Sequence, residues 1–245
     1  PRGFSLEGFK KVLEYKPVWT GYRNTIFYTL GFTAVSVTVS LLSGYALSRK
    51  NLVGKGPISA IMVFTMFFNG GLIPTYLLMQ QIGLYGKPII IILMGAVNVQ
   101  NIIIARTFTK ANVPEELYEA AVMDGCSHTK FFLSIVLPVS QALIAVLVLF
   151  AAVSQWNSWF NAMIYLSRED QMPLQMILRD LIVSQSALGM QTDIDMASGD
   201  MSHQLYLVES MRYAVIIVST LPIMCIYPFL QKYFIKGIMI GSLKG

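Results

Sequence analysis

Five stretches of the chain carry no Asp, Glu, Lys or Arg: 25–47, 58–79, 88–105, 131–167 and 213–231. A bilayer core of about 30 Å takes about 20 apolar residues at about 1.5 Å per residue. Each stretch is near or above that length. Charged residues gather in the segments between them. This pattern predicts an all-α polytopic membrane protein with five spans in this chain, forming a single transmembrane domain over residues 1–245. Buried helices of a large soluble protein would not repeat near membrane length five times.

Composition agrees. The chain is 55% hydrophobic and 13% charged, with mean hydropathy +0.59. Soluble domains carry about 25% charged residues. Cys126 and Cys225 suggest no disulfide framework. The chain starts with Pro and holds an odd number of spans, so residues before Pro1 with a sixth span are expected.

Lys and Arg in short loops set orientation. The loop RKNLVGKGP, 49–57, holds Arg49, Lys50 and Lys55, whereas 80–87 holds only Lys87. This places 49–57 in the cytoplasm and, by alternation, 106–137 and 232–245 as well. The first 24 residues and the loop 159–210 then lie outside. The formal charge of +5 reflects this topology rather than a nucleic-acid partner. Residues 4–19 read either as an interfacial helix, with Phe9, Val12 and Leu13 at helical spacing, or as a solvated connector.

The excursion 106–137 contains the stretch EAAVMDGCSHTKFFLSIVLP, 119–138. Pro114 suits the first turn of a helix, and Glu115 and Glu116 follow where the helix dipole favours acids. Leu117, Ala120, Ala121 and Asp124 share a face. Gly125 suits a left-handed helix end, and Ser127 can cap a second helix anchored by Phe131, Phe132, Ile135 and Val136. The residues alone fit a docking surface or an amphipathic connector equally well.

The pattern E-A-A-x-x-x-G followed by I-x-L-P, here Glu119, Ala120, Ala121, Gly125, Ile135, Leu137 and Pro138, resembles the signature of permease subunits of binding-protein-dependent ABC importers. WNSWFNAMIYL, 156–166, and QKYFIKGIMIGSLKG, 231–245, are similar to the carbohydrate subfamily, in particular the second permease of the maltose importer. FFNGGLIPTYLLM, 67–79, resembles the subgroup of these permeases in Gram-positive bacteria that is associated with complex oligosaccharides. The resemblance covers nearly the whole chain. It implies a coupling helix that docks in a cleft of a cytoplasmic ATPase. Glu119 would meet a basic residue there, Ala120 and Ala121 would pack in the cleft, and Gly125, after Asp124, would form the turn. It further implies an ATPase dimer that binds ATP and Mg, a second homologous permease, an external solute-binding protein and a cell-membrane location among lipids.

No G-x-x-x-x-G-K-[ST] cradle occurs, so no ATP site is expected in this chain. His128 and His203 lack acidic partners at catalytic spacing, and neither a nucleophile elbow nor a zinc motif appears. The spans hold no ionisable acid or base of the kind that intramembrane enzymes and ion-coupled carriers use. The expectation is a non-enzymatic transport subunit. No metal site is expected either, since TDIDMASGD, 192–200, has too few ligands for calcium.

The spans do hold amides: Asn69, Asn98, Gln100, Asn101, Gln155 and Asn157, with Trp156 beside the last two. Amides and aromatic faces suit a neutral, hydroxyl-rich cargo and make these residues candidates for a sugar pathway. Equally, intramembrane amides bind neighbouring helices at roughly 0.6–2 kcal/mol each. In the external loop, Leu174, Ile177, Leu178, Leu181 and Ile182 form one helical face, which would lie on the membrane or against a partner. The resemblance favours the binding protein. Rival readings are a permease for peptides or amino acids, and a membrane scaffold that does not transport.

Overall fold

The structure is a computed structural model that describes residues 7–192, 210–211 and 213–225. Among these residues there are helices and no strands. The chain's core is α2 (Lys16–Ser48), 33 residues long. At about 1.5 Å per residue it reaches about 50 Å, well beyond a hydrocarbon core. Pro17 opens it, where a missing N–H costs nothing. The helix therefore starts nine residues before the charge-free stretch and carries Arg23 on its exposed side.

The other helices are α1 (Glu7–Glu14), α3 (Lys55–Phe67), α4 (Leu72–Gln81), α5 (Ile89–Leu93), α6 (Val99–Asn112) and α7 (Glu115–Met123). After them come α8 (His128–Val139), α9 (Gln141–Trp156), α10 (Phe160–Tyr165), α11 (Leu174–Thr192) and α12 (Tyr213–Cys225). Several of them pack around α2, while α3 packs on α6. A β-carbon on Gly44 would stand 2.5 Å from Ala105 Cβ and 2.8 Å from the Arg106 backbone nitrogen. Only glycine lets α2 and α6 approach this closely. Val37, Ala105, Leu143 and Leu147 fill the seam of α2, α6 and α9.

Among the described residues, α2 is the one helix long and apolar enough to cross a membrane unbroken. The second charge-free stretch is bent by 115° between α3 and α4, and the fourth by 80° between α8 and α9. Each bend has a local cause. Asn69 Oδ1 accepts from Gly71 N–H at 2.9 Å, and Gly71 has φ +90°. Residues Phe132–Val136 form a π-helical turn just before Pro138, which cannot donate to the helix ladder. The third stretch also breaks, at Gly95 with φ +79°, and restarts where Asn98 Oδ1 accepts from Asn101 N–H at 3.0 Å. Helix α6 then runs on through Arg106 and Lys110.

On the expected external side, α2 holds a strap. Asn24 donates to the carbonyls of Asp170 (2.8 Å) and Met172 (3.1 Å), and Tyr28 donates to that of Gln171 (2.9 Å). Thr25 Oγ1 accepts from Leu174 N–H at 2.8 Å. The strap leads into α11, whose apolar face packs on its own chain. Leu174 and Leu178 are buried with Val12, Val18, Trp156 and Val215, and Ile177, Leu181 and Ile182 pack partly against them. The segment after Pro1 is helical from Glu7. Phe9 and Val12 of α1 join this cluster, while Leu13 stays exposed. Residues 193–209 and the tail 231–245 lie outside the described residues, as does His203.

Candidate functional site

The polar interruption forms a tight two-helix joint. Val113 is buried, and Pro114 leads into α7. The helix ends as its sequence requires. Gly125 has φ +73° and donates N–H to the Val122 carbonyl at 2.9 Å, while Cys126 N–H donates to the Ala121 carbonyl at 2.9 Å. These two bonds satisfy the last carbonyls with a left-handed glycine in the turn. Asp124 sits at the helix end, exposed. Ser127 Oγ accepts from Lys130 N–H at 3.3 Å and caps α8.

The two faces of α7 differ. Glu116, Leu117, Glu119, Ala120 and Met123 are exposed, and Met123 is 87% accessible. Glu116, Glu119, Ala120 and Met123 border a shallow groove with Asn51, Val122 and one edge of Tyr118. Tyr118 and Ala121 turn inward, with Cys126, onto Tyr45, Val113, Phe131, Phe132 and Val136. Ile135 and Leu137 support the same cluster, and Pro138 is exposed. Of the two alanines, Ala120 is therefore open to a partner and Ala121 belongs to the chain's own core.

The centre of that core is a cation. Arg49 is 7% exposed. Its guanidinium carbon lies 5.0 Å from the ring centre of Tyr45, 5.2 Å from that of Tyr118 and 5.6 Å from that of Phe131. Each such cation–ring contact contributes roughly 0.5–2 kcal/mol. Glu115 is its counter-charge, with Nη1 to Oε2 at 3.7 Å. Tyr118 also stacks on His128, with its hydroxyl 2.7 Å from Nε2. In the sequence Arg49 reads as a topology marker and Glu115 as a first-turn acid, and Tyr45 and Tyr118 enter neither reading. A lone Arg at a span end, with aromatic residues at several sequence-distant positions, was the available signal.

The candidate pathway residues separate into groups. Asn98, Gln100 and Asn101 do come together, in a cavity of about 250 Å³ shared with Ser36, Phe32, Phe150 and Ser154. Ser36, Ser154 and both phenylalanines were not expected there. The others lie elsewhere. Asn69 is exposed and holds the α3–α4 bend. Trp156 is buried and donates Nε1–H to the Ser219 carbonyl at 3.0 Å. Gln155 is buried beside it, and the Asn157 amide donates to the Val153 carbonyl at 2.9 Å, closing the end of α9. Among the described residues, no group of His, Cys, Asp or Glu could hold a metal ion.

No protein-family model matches the chain. Over its full length it is 39% identical to the polygalacturonan/rhamnogalacturonan transport system permease protein YtcP of Bacillus subtilis (strain 168), covering 84% of that protein. It is 37% identical, again over its full length, to protein LplC of the same organism, covering 81% of it. Among solved structures it resembles a chain in the crystal structure of a bacterial ABC transporter involved in the import of the acidic polysaccharide alginate. That match has a TM-score of 0.83 and 32% identity, over 96% of this chain and 81% of the other.

Proposed function

The chain belongs to the permease subunits of carbohydrate ABC importers, and from that premise we propose that the joint at 106–137 is its coupling element to an ATPase. It is a membrane protein and a transport subunit. The observation that carries the coupling reading is the two-faced α7. Its inner face is locked to the end of α2, and its outer face leaves Glu116, Glu119, Ala120 and Met123 open. A short, rigid, outward-facing helix can receive a push and pass it on. Glu119 would pair with a basic side chain of the ATPase, and Gly125 holds the turn that presents it. ATP and Mg would be bound by that separate ATPase dimer, and hydrolysis would occur there. A second permease and an external binding protein would complete the importer. The location would be the cell membrane, with 49–57, 106–137 and 232–245 in the cytoplasm.

The cargo we propose is an oligosaccharide. The cavity formed by Asn98, Gln100, Asn101, Ser36 and Ser154 offers amide and hydroxyl partners, and Phe32 and Phe150 offer faces for a sugar ring. This suits hydroxyl-rich rings, and the transport role named for YtcP supports it. Gln100 and Ser154 are the cleanest probes, because Asn98 also caps α6.

The test is reconstitution of the tagged chain with its co-purifying subunits in vesicles. Uptake of an oligogalacturonide, an alginate oligosaccharide, a maltodextrin and a dipeptide is then compared. ATP-dependent uptake of a saccharide, raised in KM by Gln100→Leu, supports the reading. Uptake of the dipeptide alone, or a chain that recovers no ATPase even after crosslinking from Glu119→Cys, sinks it.

A further inference from the structure

We infer that Arg49 is a positioning residue for transport, the link through which displacement of α7 reaches α2. The inference rests on the coupling reading above and assigns it a residue that the family signature does not include.

The geometry is specific. The three rings around the guanidinium come from three elements: Tyr45 from α2, Tyr118 from α7 and Phe131 from α8. The acid that faces it, Glu115, opens α7. Arg49 itself ends α2, and its own carbonyl accepts from Lys55 Nζ at 3.2 Å, which ties in the start of α3. One residue thus joins α2, α3, α7 and α8, its side chain meeting α7 and α8 and its carbonyl meeting α3.

Stability does not demand a cation here. A buried ion pair replaced by apolar groups of similar volume is often no less stable. Nε and Nη1 of Arg49 also make no hydrogen bond. What the guanidinium adds is direction. At 3.7 Å the pair with Glu115 is an ionic contact without a hydrogen bond. A small approach of α7 closes it to a charge-assisted bond at about 2.8 Å, and a small retreat releases it. Flat rings let the cation slide while it stays desolvated. The joint therefore has two arrangements that differ at one contact, and α2 is the unbroken helix that carries the difference to the cavity at Ser36.

The experiment uses the whole importer in nanodiscs, with Cys126→Ala, Cys225→Ser and a reporter Ser154→Cys in the cavity. Labelling by a membrane-impermeant maleimide is measured with and without ATP plus vanadate. The parent should change its labelling rate on nucleotide. Arg49→Met with Glu115→Gln removes both charges together. It should keep the ATPase subunits bound yet lose about fivefold or more of that response, the usual size of a coupling between distant sites. Arg49→Lys, which keeps the charge without the planar fork, should keep part of it. Tyr118→Leu, which removes one ring and leaves the ion pair, should fall between, and it decides the matter if the double variant does not assemble. A response equal to the parent's in either variant, with the ATPase bound, overturns Arg49's role. A parent that binds no ATPase, or does not respond to nucleotide, overturns the coupling reading itself and takes Arg49's role with it.

Discussion

Two of the turns between short helices, at 68–71 and at 124–127, are built in opposite ways. The α3–α4 hairpin is almost wholly apolar, yet none of its side chains is buried by the described residues. Phe67 is 85% exposed and Ile73 71%. The α7–α8 joint is rich in charge, yet it buries an Arg, two Phe and two Val at its centre. Polarity and burial have come apart. In a bilayer, lipid tails are as apolar as Leu, so an apolar sequence reports its solvent rather than its contacts. What packs helix on helix is shape and specific pairing. The joint has both in Arg49 and its rings, and the α2–α6 seam has them in Gly44.

The contrast can be broken by substitution. The largest effect is expected from Glu115→Ala, which leaves the Arg49 guanidinium buried without a counter-charge. It should cost about 3 kcal/mol, read as a lowered unfolding midpoint of the purified importer. Charge removal on the exposed Glu116 is the control, and equal effects would show that burial at this end is not what the structure describes. Next comes Gly44→Ala. Its methyl would meet backbone on α6 and should cost about 2 kcal/mol through overpacking. Gly70→Ala has nothing within 4 Å and should stay within about 0.5 kcal/mol. Comparable losses at the two glycines would erase the distinction between seam and hairpin.

Gly125→Val tests the turn alone. A β-carbon there also meets nothing within 4 Å, so any effect is conformational. Forcing a branched residue to φ +73° should cost roughly 1–2 kcal/mol and reduce recovery of the ATPase in co-purification. Gly125→Asn, which tolerates that backbone, should lose much less. Apart from the Gly70→Ala control, the smallest effect is expected from Tyr118→Phe, which removes only the hydroxyl bond to His128 and should cost about 1 kcal/mol. A much larger loss would mean that this bond, rather than the cation and rings, holds the joint.

The helical class, the five charge-free stretches and the two-helix joint with its glycine end were all legible from one-dimensional pattern. Each depends on local chemistry: runs without charge, Pro114 before the acids, Gly125 where only a left-handed residue fits. Membership in the importer permeases was carried by the Glu119 to Pro138 motif for the same reason, since its residues are close neighbours in the chain. Pattern was less informative at the bends, because Asn69, Gly95 and the turn before Pro138 break helices without adding charge.

Tertiary structure alone decided which side chains meet. It gathered Asn98, Gln100 and Asn101 into one cavity and left Asn69 and Trp156 elsewhere. It turned Ala121 inward and Ala120 out, and it folded the apolar face of α11 onto α1 and α12. It also set Arg49 among rings that lie up to 82 residues away in sequence, between positions 49 and 131. No local rule contains such contacts. They exist because α2 is long enough to pack against α1, α5, α6, α9 and α11, and small residues along it let those helices close in.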